Sequence, residues 1–190
     1  MKVTVLVQRI EQELTQVQAA IVQTQRLIRK VSQIQDEDIQ DALIAASALN
    51  MQSFYTGAER IFYEIAKEVD ESVPTGTDWH RQLLEQLSVA IPAVRQAVLS
   101  EQTLVDLDEF RRFRHVVRSN YAYNLKADLV IELSEKLSSC SQHLIQDIAV
   151  PLNMRYTLDR QGKGFSLLFV PHQIGNRYIR TFTNAIAEIP

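Results

Sequence analysis

The chain has 190 residues, of which 46% are hydrophobic, and contains five glycines and five prolines. This composition suits one domain with a sizeable core and excludes a purely disordered or linker role. The net charge of -3 gives no general attraction for nucleic acid, so any such contact requires a local basic patch. Long stretches rich in Ala, Leu, Gln, Glu and Arg predict an all-α fold.

The opening segment, MKVTVLVQRIEQEL, becomes charged too early for a signal peptide or a membrane span. A soluble cytoplasmic protein is therefore predicted. The single Cys140 excludes an internal disulfide framework, and its apolar spacing predicts a buried thiol. Neither His143 nor His172 has neighbours at metal-ligand spacing, so no metal and no other cofactor is predicted.

Two long helices are predicted in the first third of the chain. Apolar residues recur every three or four positions across residues 3–31, with Thr24 as the one polar interruption. This pattern predicts an amphipathic helix that packs along a bundle or a partner subunit. Three acids at 36–38 predict the start of the second helix, whose stripe runs from Ile39 to about Val69 and in which Gly57 indicates close packing.

Turn and capping residues divide the rest of the helical region. A Pro and a Gly within residues 73–77 predict a turn, after which Asp78 is predicted to cap a short helix. Pro92 interrupts the next stretch, and Ser100 is predicted to cap a further helix. A last helix follows and ends at Pro151.

The pattern changes after Pro151. Alternating apolar and polar residues on either side of the sequence RQGKG predict a small β-hairpin, and residues 178–186 are predicted to form a short helix. We therefore predict an antiparallel helical bundle over residues 1–150 and a C-terminal extension over residues 151–190.

The most informative segment is DEFRRFRHVVRSNYAY, residues 108–123. At about 100° per residue, five of its polar side chains fall within an arc of about 120°. Arginine suits bidentate phosphate contact, an imidazole transfers protons near neutral pH, and a tyrosine hydroxyl donates a hydrogen bond or accepts a modification. These side chains predict a phosphate site: Arg111, Arg114, His115, Arg118 and Tyr121. The opposite side is predicted to be core: Phe110, Phe113, Val116 and Val117.

A solvated face is the alternative interpretation of this segment. Asp106, Asp108 and Glu109 would then pair with the arginines, each exposed pair contributing about 0–1 kcal/mol. Elsewhere in the chain, His80 either approaches the same groove or, in the favoured interpretation, packs and caps with its neighbours. Glu59 either tunes the groove or forms an ordinary surface ion pair with the adjacent arginine.

Three ordered blocks carry a resemblance to a known family: SFYTGAERIFYEIAKEVD at 53–70, VPTGTDWHRQLLEQL at 73–87 and DEFRRFRHVVRSNYAYNL at 108–125. Over about residues 39–148 the chain resembles the HepT-like group of the HEPN superfamily. The resemblance implies an antiparallel helical bundle, usually a homodimer, that works beside a small nucleotidyltransferase in a two-gene toxin-antitoxin module. Active members of the group are metal-independent ribonucleases.

The signature of the group is an Arg, a polar residue, a gap, a His and, two residues later, a Tyr. With Tyr121 aligned to the signature tyrosine, Arg114 takes the place of the arginine and His115 that of the polar residue. Ser119 then replaces the catalytic histidine. Serine does not transfer protons near neutral pH as imidazole does, so His115, on the same helical face, is the candidate substitute.

The resemblance implies two functions that remain open at this point. In the first, the chain cleaves RNA: Arg114, His115 and Tyr121 are catalytic, while Arg111, Arg118 and Ser119 contact phosphate. In the second, the same fold is a non-catalytic binding module for the partner nucleotidyltransferase, its nucleotide or RNA. In either, Tyr121 is a candidate for AMP addition by the nucleotidyltransferase, and no membrane partner is expected.

Overall fold

The computed structural model describes residues 2–119, 125–149, 154–158 and 165–169, with side chains described between residues 5 and 149. Helices dominate this part of the chain, which confirms the prediction of an all-α bundle. The described helices are α1 (Lys2–Val31), α2 (Glu37–Glu68), α3 (Trp79–Ser88), α4 (Glu101–Ser119) and α5 (Ala127–Ala149). The predicted helix at 178–186 lies outside the described residues, and the division at residue 150 stays a prediction.

The helices α1 and α2 form an antiparallel hairpin that is the longest packed element. Arg9 contacts Glu64 at 2.8 Å, and Val17 faces Gly57 eight residues further along α1. A Cβ at position 57 would lie only 2.6 Å from Cγ2 of Val17, so a larger residue would force the helices apart. The prediction that Gly57 permits close packing is thus confirmed.

The predicted apolar stripe of α2 is partly wrong at its beginning. Asp36 caps α2, since its side chain accepts a hydrogen bond from the amide of Ile39 at 3.2 Å. Ile39 itself is 46% exposed, and the first buried residue of α2 is Ile44. The polar Thr24 of α1 is buried with its hydroxyl paired, since the hydroxyl donates to the Ala20 carbonyl at 2.8 Å.

The helices α4 and α5 run antiparallel to each other and pack against α2, and α5 also contacts α1. Phe110 of α4 packs edge-to-face on Phe54 of α2, with ring centroids 5.0 Å apart. Ser100 caps α4, because its hydroxyl accepts from the amide of Thr103 at 3.3 Å. Cys140 of α5 is buried as predicted, and burial raises the pKa of its thiol well above the usual value.

An ion pair inside the protein holds the connection between α3 and α4. Arg95 donates to both carboxylate oxygens of Asp70, at 2.6 and 2.7 Å, and both side chains are completely buried. The other guanidinium protons reach the carbonyls of Gln86, Val89 and Gln96 at 2.9–3.0 Å. This arrangement ties the loop before α4 to the end of α2.

The start of α3 differs from the prediction. The side chain of Asp78 makes no capping hydrogen bond. Its backbone carbonyl accepts instead from the amides of Arg81 and Gln82, at 3.0 and 3.1 Å. The carboxylate lies 3.7 Å from Arg81, so Asp78 neutralises a neighbouring side chain rather than a free backbone amide.

After α5, the described backbone contains two antiparallel strands, β1 (Met154–Leu158) and β2 (Phe165–Phe169). Met154 pairs with Phe169 and Leu158 with Phe165, which matches the predicted hairpin. Its turn, residues 159–164, lies outside the described residues. In the described part of the chain, no helix combines the length and the apolar character that a membrane span requires.

Candidate functional site

The first predicted phosphate ligand, Arg111, is already paired within α4. Its Nε lies 2.7 Å from Oδ1 of Asp108, and the same carboxylate contacts Arg112 at 3.2 Å. The solvated-face interpretation therefore holds for Arg111 in part. It fails for the other two acids, because Asp106 contacts His143 and Glu109 contacts Lys136.

Arg114 lies on the border of the buried face, not in the middle of an exposed cationic one. It follows Phe110 by four residues and Leu107 by seven, so it shares their side of α4. Its side chain is only 14% exposed, and Nη2 lies 3.5 Å from Oε2 of Glu59 on α2. Its Nε is buried without a hydrogen-bond partner in the described part of the chain.

The remaining α4 residues of the predicted site lie at its C-terminal end. His115, Arg118 and Ser119 are exposed. Within the described ranges, neither the His115 ring nor the Arg118 guanidinium has a hydrogen-bond or ion-pair partner. The Ser119 hydroxyl donates to the His115 carbonyl at 2.8 Å, so it is engaged by its own helix. Tyr121 lies outside the described residues, and its roles stay predictions.

Glu59 is the buried centre of the site. Only 5% of the residue is exposed, and its two carboxylate oxygens contact different partners: Oε1 meets Nδ1 of His80, and Oε2 faces Arg114. The expected surface pair with Arg60 is wrong, since Arg60 lies 3.5 Å from Glu13 across the α1–α2 contact. One carboxylate thus joins α2, α3 and α4.

His80 occupies the first turn of α3, where Trp79 packs against its ring. The two ring centroids are 3.7 Å apart and the planes are inclined by 35°. The favoured interpretation of His80 as a packing residue is therefore correct for the stacking, but the contact with Glu59 places it beside Arg114 as well. The imidazole keeps 24% side-chain exposure.

Tyr55 lies one turn before Glu59 and completes the cluster. It is fully buried, and its hydroxyl has no hydrogen-bond partner among the described side chains. Burial raises the pKa of this hydroxyl far above its ordinary value, and the negative charge of Glu59 adds to the effect. We call the four residues Tyr55, Glu59, His80 and Arg114 the Glu59 cluster.

A periodicity argument would have found this cluster in the sequence. Glu59 follows Tyr55 by four residues and precedes Phe62 by three, so it lies within the apolar stripe of α2. Arg114 interrupts the stripe of α4 in the same way. Buried charges occur in pairs. An acidic residue in one apolar stripe and a basic residue in a second stripe packed against it are therefore predicted to form an ion pair. The pairing with His80 has no comparable signal, since it depends on how α3 docks.

A cleft of about 380 Å³ opens beside the cluster between α1, α2 and the start of α3. Glu59 and Trp79 form part of its wall, and the exposed ring of Tyr63 lies at its edge. Among the described side chains, no group of three or more His, Cys, Asp or Glu is arranged to hold a metal ion. The polar groups that the described residues bring to the site are a guanidinium, an imidazole, a carboxylate and a hydroxyl.

The described part of the chain is an all-α bundle in which a buried carboxylate joins a histidine and an arginine from two other helices. The model of a family described as HepT-like protein matches residues 46–152, a range that includes all of the Glu59 cluster. The chain belongs to this HepT-like family, which confirms the resemblance carried by the three sequence blocks. Searches of curated proteins and of solved structures found no match.

Proposed function

We propose that this protein is the HEPN component of a toxin-antitoxin module, paired with a nucleotidyltransferase, and that it cleaves RNA without a metal ion. The observation that carries the proposal is the position of Arg114. Glu59 holds it at the edge of the core through one contact of 3.5 Å, its side chain stays 14% exposed, and exposed Arg118 follows one turn later. Two guanidiniums spaced in this way suit a phosphodiester.

RNA cleavage of this kind needs a cation at the phosphate and a group that accepts the proton of the attacking 2′-hydroxyl. Arg114 and Arg118 supply the cation, with Arg111 and Ser119 at the border of the same surface. Arg111 contributes less, because Asp108 already neutralises it. The sequence assigns the proton transfer to His115, whose ring is exposed beside Arg118.

The partner nucleotidyltransferase regulates the same surface in this proposal. Tyr121 accepts AMP, and the added phosphate lies against Arg118, where it excludes RNA. The support is family membership and the place of Tyr121 two residues after exposed Ser119. A homodimer and a cytoplasmic location belong to the same proposal.

A second candidate is a non-catalytic module that holds the nucleotidyltransferase, its nucleotide or RNA. Ser119 favours it, since this residue takes the place of the family histidine and its hydroxyl is bound to its own helix. Glu59 favours it too, because a carboxylate beside Arg114 opposes phosphate binding. RNA binding without cleavage by the purified wild-type protein would support this candidate against the first.

Expression in growing cells tests the proposal, with cellular RNA checked for new cleavage ends. The wild-type chain is expected to slow growth and to produce new ends. Arg118→Ala should weaken both effects, because one phosphate contact and its share of the salt dependence of RNA binding are lost. Arg112→Ala is the matched control, since Arg112 lies on the same helix but pairs with Asp108.

The proposal fails if the wild-type chain neither binds nor cuts RNA. It also fails if Arg118→Ala and Arg112→Ala weaken RNA binding equally, since general charge rather than this surface would then be responsible. The modification is tested by incubating the protein with its nucleotidyltransferase and ATP. Mass spectrometry should detect one added AMP on the wild-type chain and none on Tyr121→Phe.

A further inference from the structure

We infer that His80 of α3, and not His115 of α4, is the general base of the proposed RNA cleavage. This inference rests on the proposed function and names the residue that performs its proton transfer. The supporting observation is a contact that helical spacing alone does not predict. The buried carboxylate of Glu59 contacts the imidazole of His80 through one oxygen and Arg114, the proposed phosphate ligand, through the other.

The contact with Glu59 determines which ring nitrogen of His80 is available. An ionised carboxylate only accepts hydrogen bonds, so Nδ1 of His80 carries the proton and donates to Oε1 of Glu59. The neutral ring then bears its lone pair on Nε2. No described residue bonds to Nε2, which leaves it able to accept a proton from a substrate.

The surroundings of His80 also suit the positive charge that it acquires. Glu59 faces Nδ1 directly, and the indole of Trp79 lies against the ring at a centroid distance of 3.7 Å. A carboxylate and an aromatic face both stabilise an imidazolium. His115 has neither contact among the described residues, so no described group orients its ring.

The position of His80 agrees with substrate access. Its imidazole is 24% exposed, whereas Glu59 is almost completely buried. The cleft beside Trp79 reaches the same carboxylate and has the exposed ring of Tyr63 at its edge. An unpaired RNA base can stack on such a ring.

The reaction balances as follows. The 2′ oxygen forms a bond to the neighbouring phosphorus, and its proton passes to Nε2 of His80. The bond between phosphorus and the 5′ oxygen breaks, and its electron pair stays with that oxygen, which takes a proton from water. His80 then returns its proton to the solvent. The products are a 2′,3′-cyclic phosphate and a 5′-hydroxyl, and no oxidant, reductant or metal is consumed.

Purified full-length protein and a labelled RNA test this assignment, with cleavage and binding measured separately. His80→Ala should reduce the cleavage rate by roughly 10²–10⁴-fold and leave RNA affinity unchanged. Added imidazole should restore part of the rate in this variant, because the truncated side chain leaves a partly exposed space beside Glu59. His80→Gln should also be inactive, although its amide can still donate to Glu59.

The matched control is His143→Ala. His143 also donates to a carboxylate through Nδ1, which lies 2.9 Å from Oδ2 of Asp106, but this pair lies between α4 and α5 and does not include Arg114. This variant should cleave RNA at the wild-type rate.

The possible outcomes distinguish this inference from the proposed function. A wild-type protein that cuts RNA together with a fully active His80→Gln variant overturns the base assignment alone. Loss of cleavage in His115→Ala, with full activity in both His80 variants, returns the role to His115. A wild-type protein that binds RNA but never cuts it overturns the endonuclease proposal and the base assignment together, and leaves the binding module.

Discussion

Two arginine–carboxylate pairs inside this protein differ in how many of the arginine's hydrogen-bond donors have an acceptor. Arg95 and Asp70 are fully buried, and every nitrogen of Arg95 has an acceptor, two of them on the carboxylate. Arg114 meets Glu59 through one contact of 3.5 Å, keeps 14% exposure and has a buried Nε without a partner. We call the Arg95 pair saturated, because every donor of the arginine has an acceptor, and the Arg114 pair unsaturated.

The difference separates a structural role from a functional one. A saturated guanidinium has no donor left for a ligand, so Arg95 can only hold the loop before α4 in place. A guanidinium with a single contact of 3.5 Å and a partly exposed side chain can still donate to an anion. The following predictions test this comparison.

The largest loss of stability is expected for Asp70→Ala. This change leaves the buried charge of Arg95 without its carboxylate, which costs about 3–5 kcal/mol of unfolding free energy. Urea denaturation measures it. Asp106→Ala removes a carboxylate from the partly exposed pair with His143 and should cost less than about 1 kcal/mol. Equal losses in the two variants would contradict the structural role of the saturated pair.

Glu59→Gln should destabilise the protein less than Asp70→Ala. It should also raise the affinity for RNA and lower the cleavage rate. The unsaturated, partly exposed Arg114 loses about 1–2 kcal/mol of stabilisation. RNA should bind more tightly, because Arg114 is no longer neutralised, while the cleavage rate at saturating RNA should fall, because the negative charge that faces Nδ1 of His80 is lost. A lower rate with unchanged affinity would mean that Glu59 does not compete with phosphate.

Tyr55→Phe should stabilise the protein by about 1 kcal/mol at neutral pH, since it removes a buried hydroxyl without a hydrogen-bond partner. The pKa of this hydroxyl is raised in the folded state by burial and by Glu59. Wild-type stability is therefore constant below the ordinary tyrosine pKa and decreases as pH rises above it, by up to about 1.4 kcal/mol per pH unit.

Thermal unfolding of wild type and Tyr55→Phe at several pH values measures both effects. The advantage of the variant should grow above about pH 10, where the unfolded wild-type chain begins to ionise at position 55. Tyr63→Phe is the control, because it removes the same hydroxyl from an exposed ring. A constant advantage across this range would show that the Tyr55 hydroxyl is not isolated from water.

The smallest effect is expected for Arg112→Ala. Arg112 is largely exposed and shares Asp108 with Arg111, so its removal should change unfolding free energy by less than about 0.5 kcal/mol. Denaturation under the same conditions as Asp70→Ala provides the measurement. A loss approaching that of Asp70→Ala would mean that exposed pairs on α4 contribute to stability as buried ones do.

The sequence predicted the helices more accurately than the site. The helix start at residues 36–38, the cap at Ser100 and the close packing at Gly57 were confirmed, whereas the apolar stripe of α2 was wrong at Ile39. The failure at Asp78 is also local, because a backbone carbonyl replaced the expected side-chain cap.

The site was harder to predict, because it depends on contacts between distant residues. Helical spacing placed Arg114 among exposed cations, but its true partner is 55 positions earlier, on a helix whose orientation the spacing does not specify. His80 approaches Glu59 only after α3 has docked. The sequence therefore predicted which side chains share one face of α4. It did not predict which residues of α2 and α3 contact that face.

The stacking of Trp79 on His80 has an optical consequence. Trp79 is the only tryptophan of the chain, so all indole emission arises from a ring in contact with this imidazole. An imidazolium quenches indole fluorescence more strongly than neutral imidazole does. The unlabelled protein should therefore become dimmer when His80 takes up a proton and brighter when it releases one, which makes the charge of a single histidine visible during the reaction.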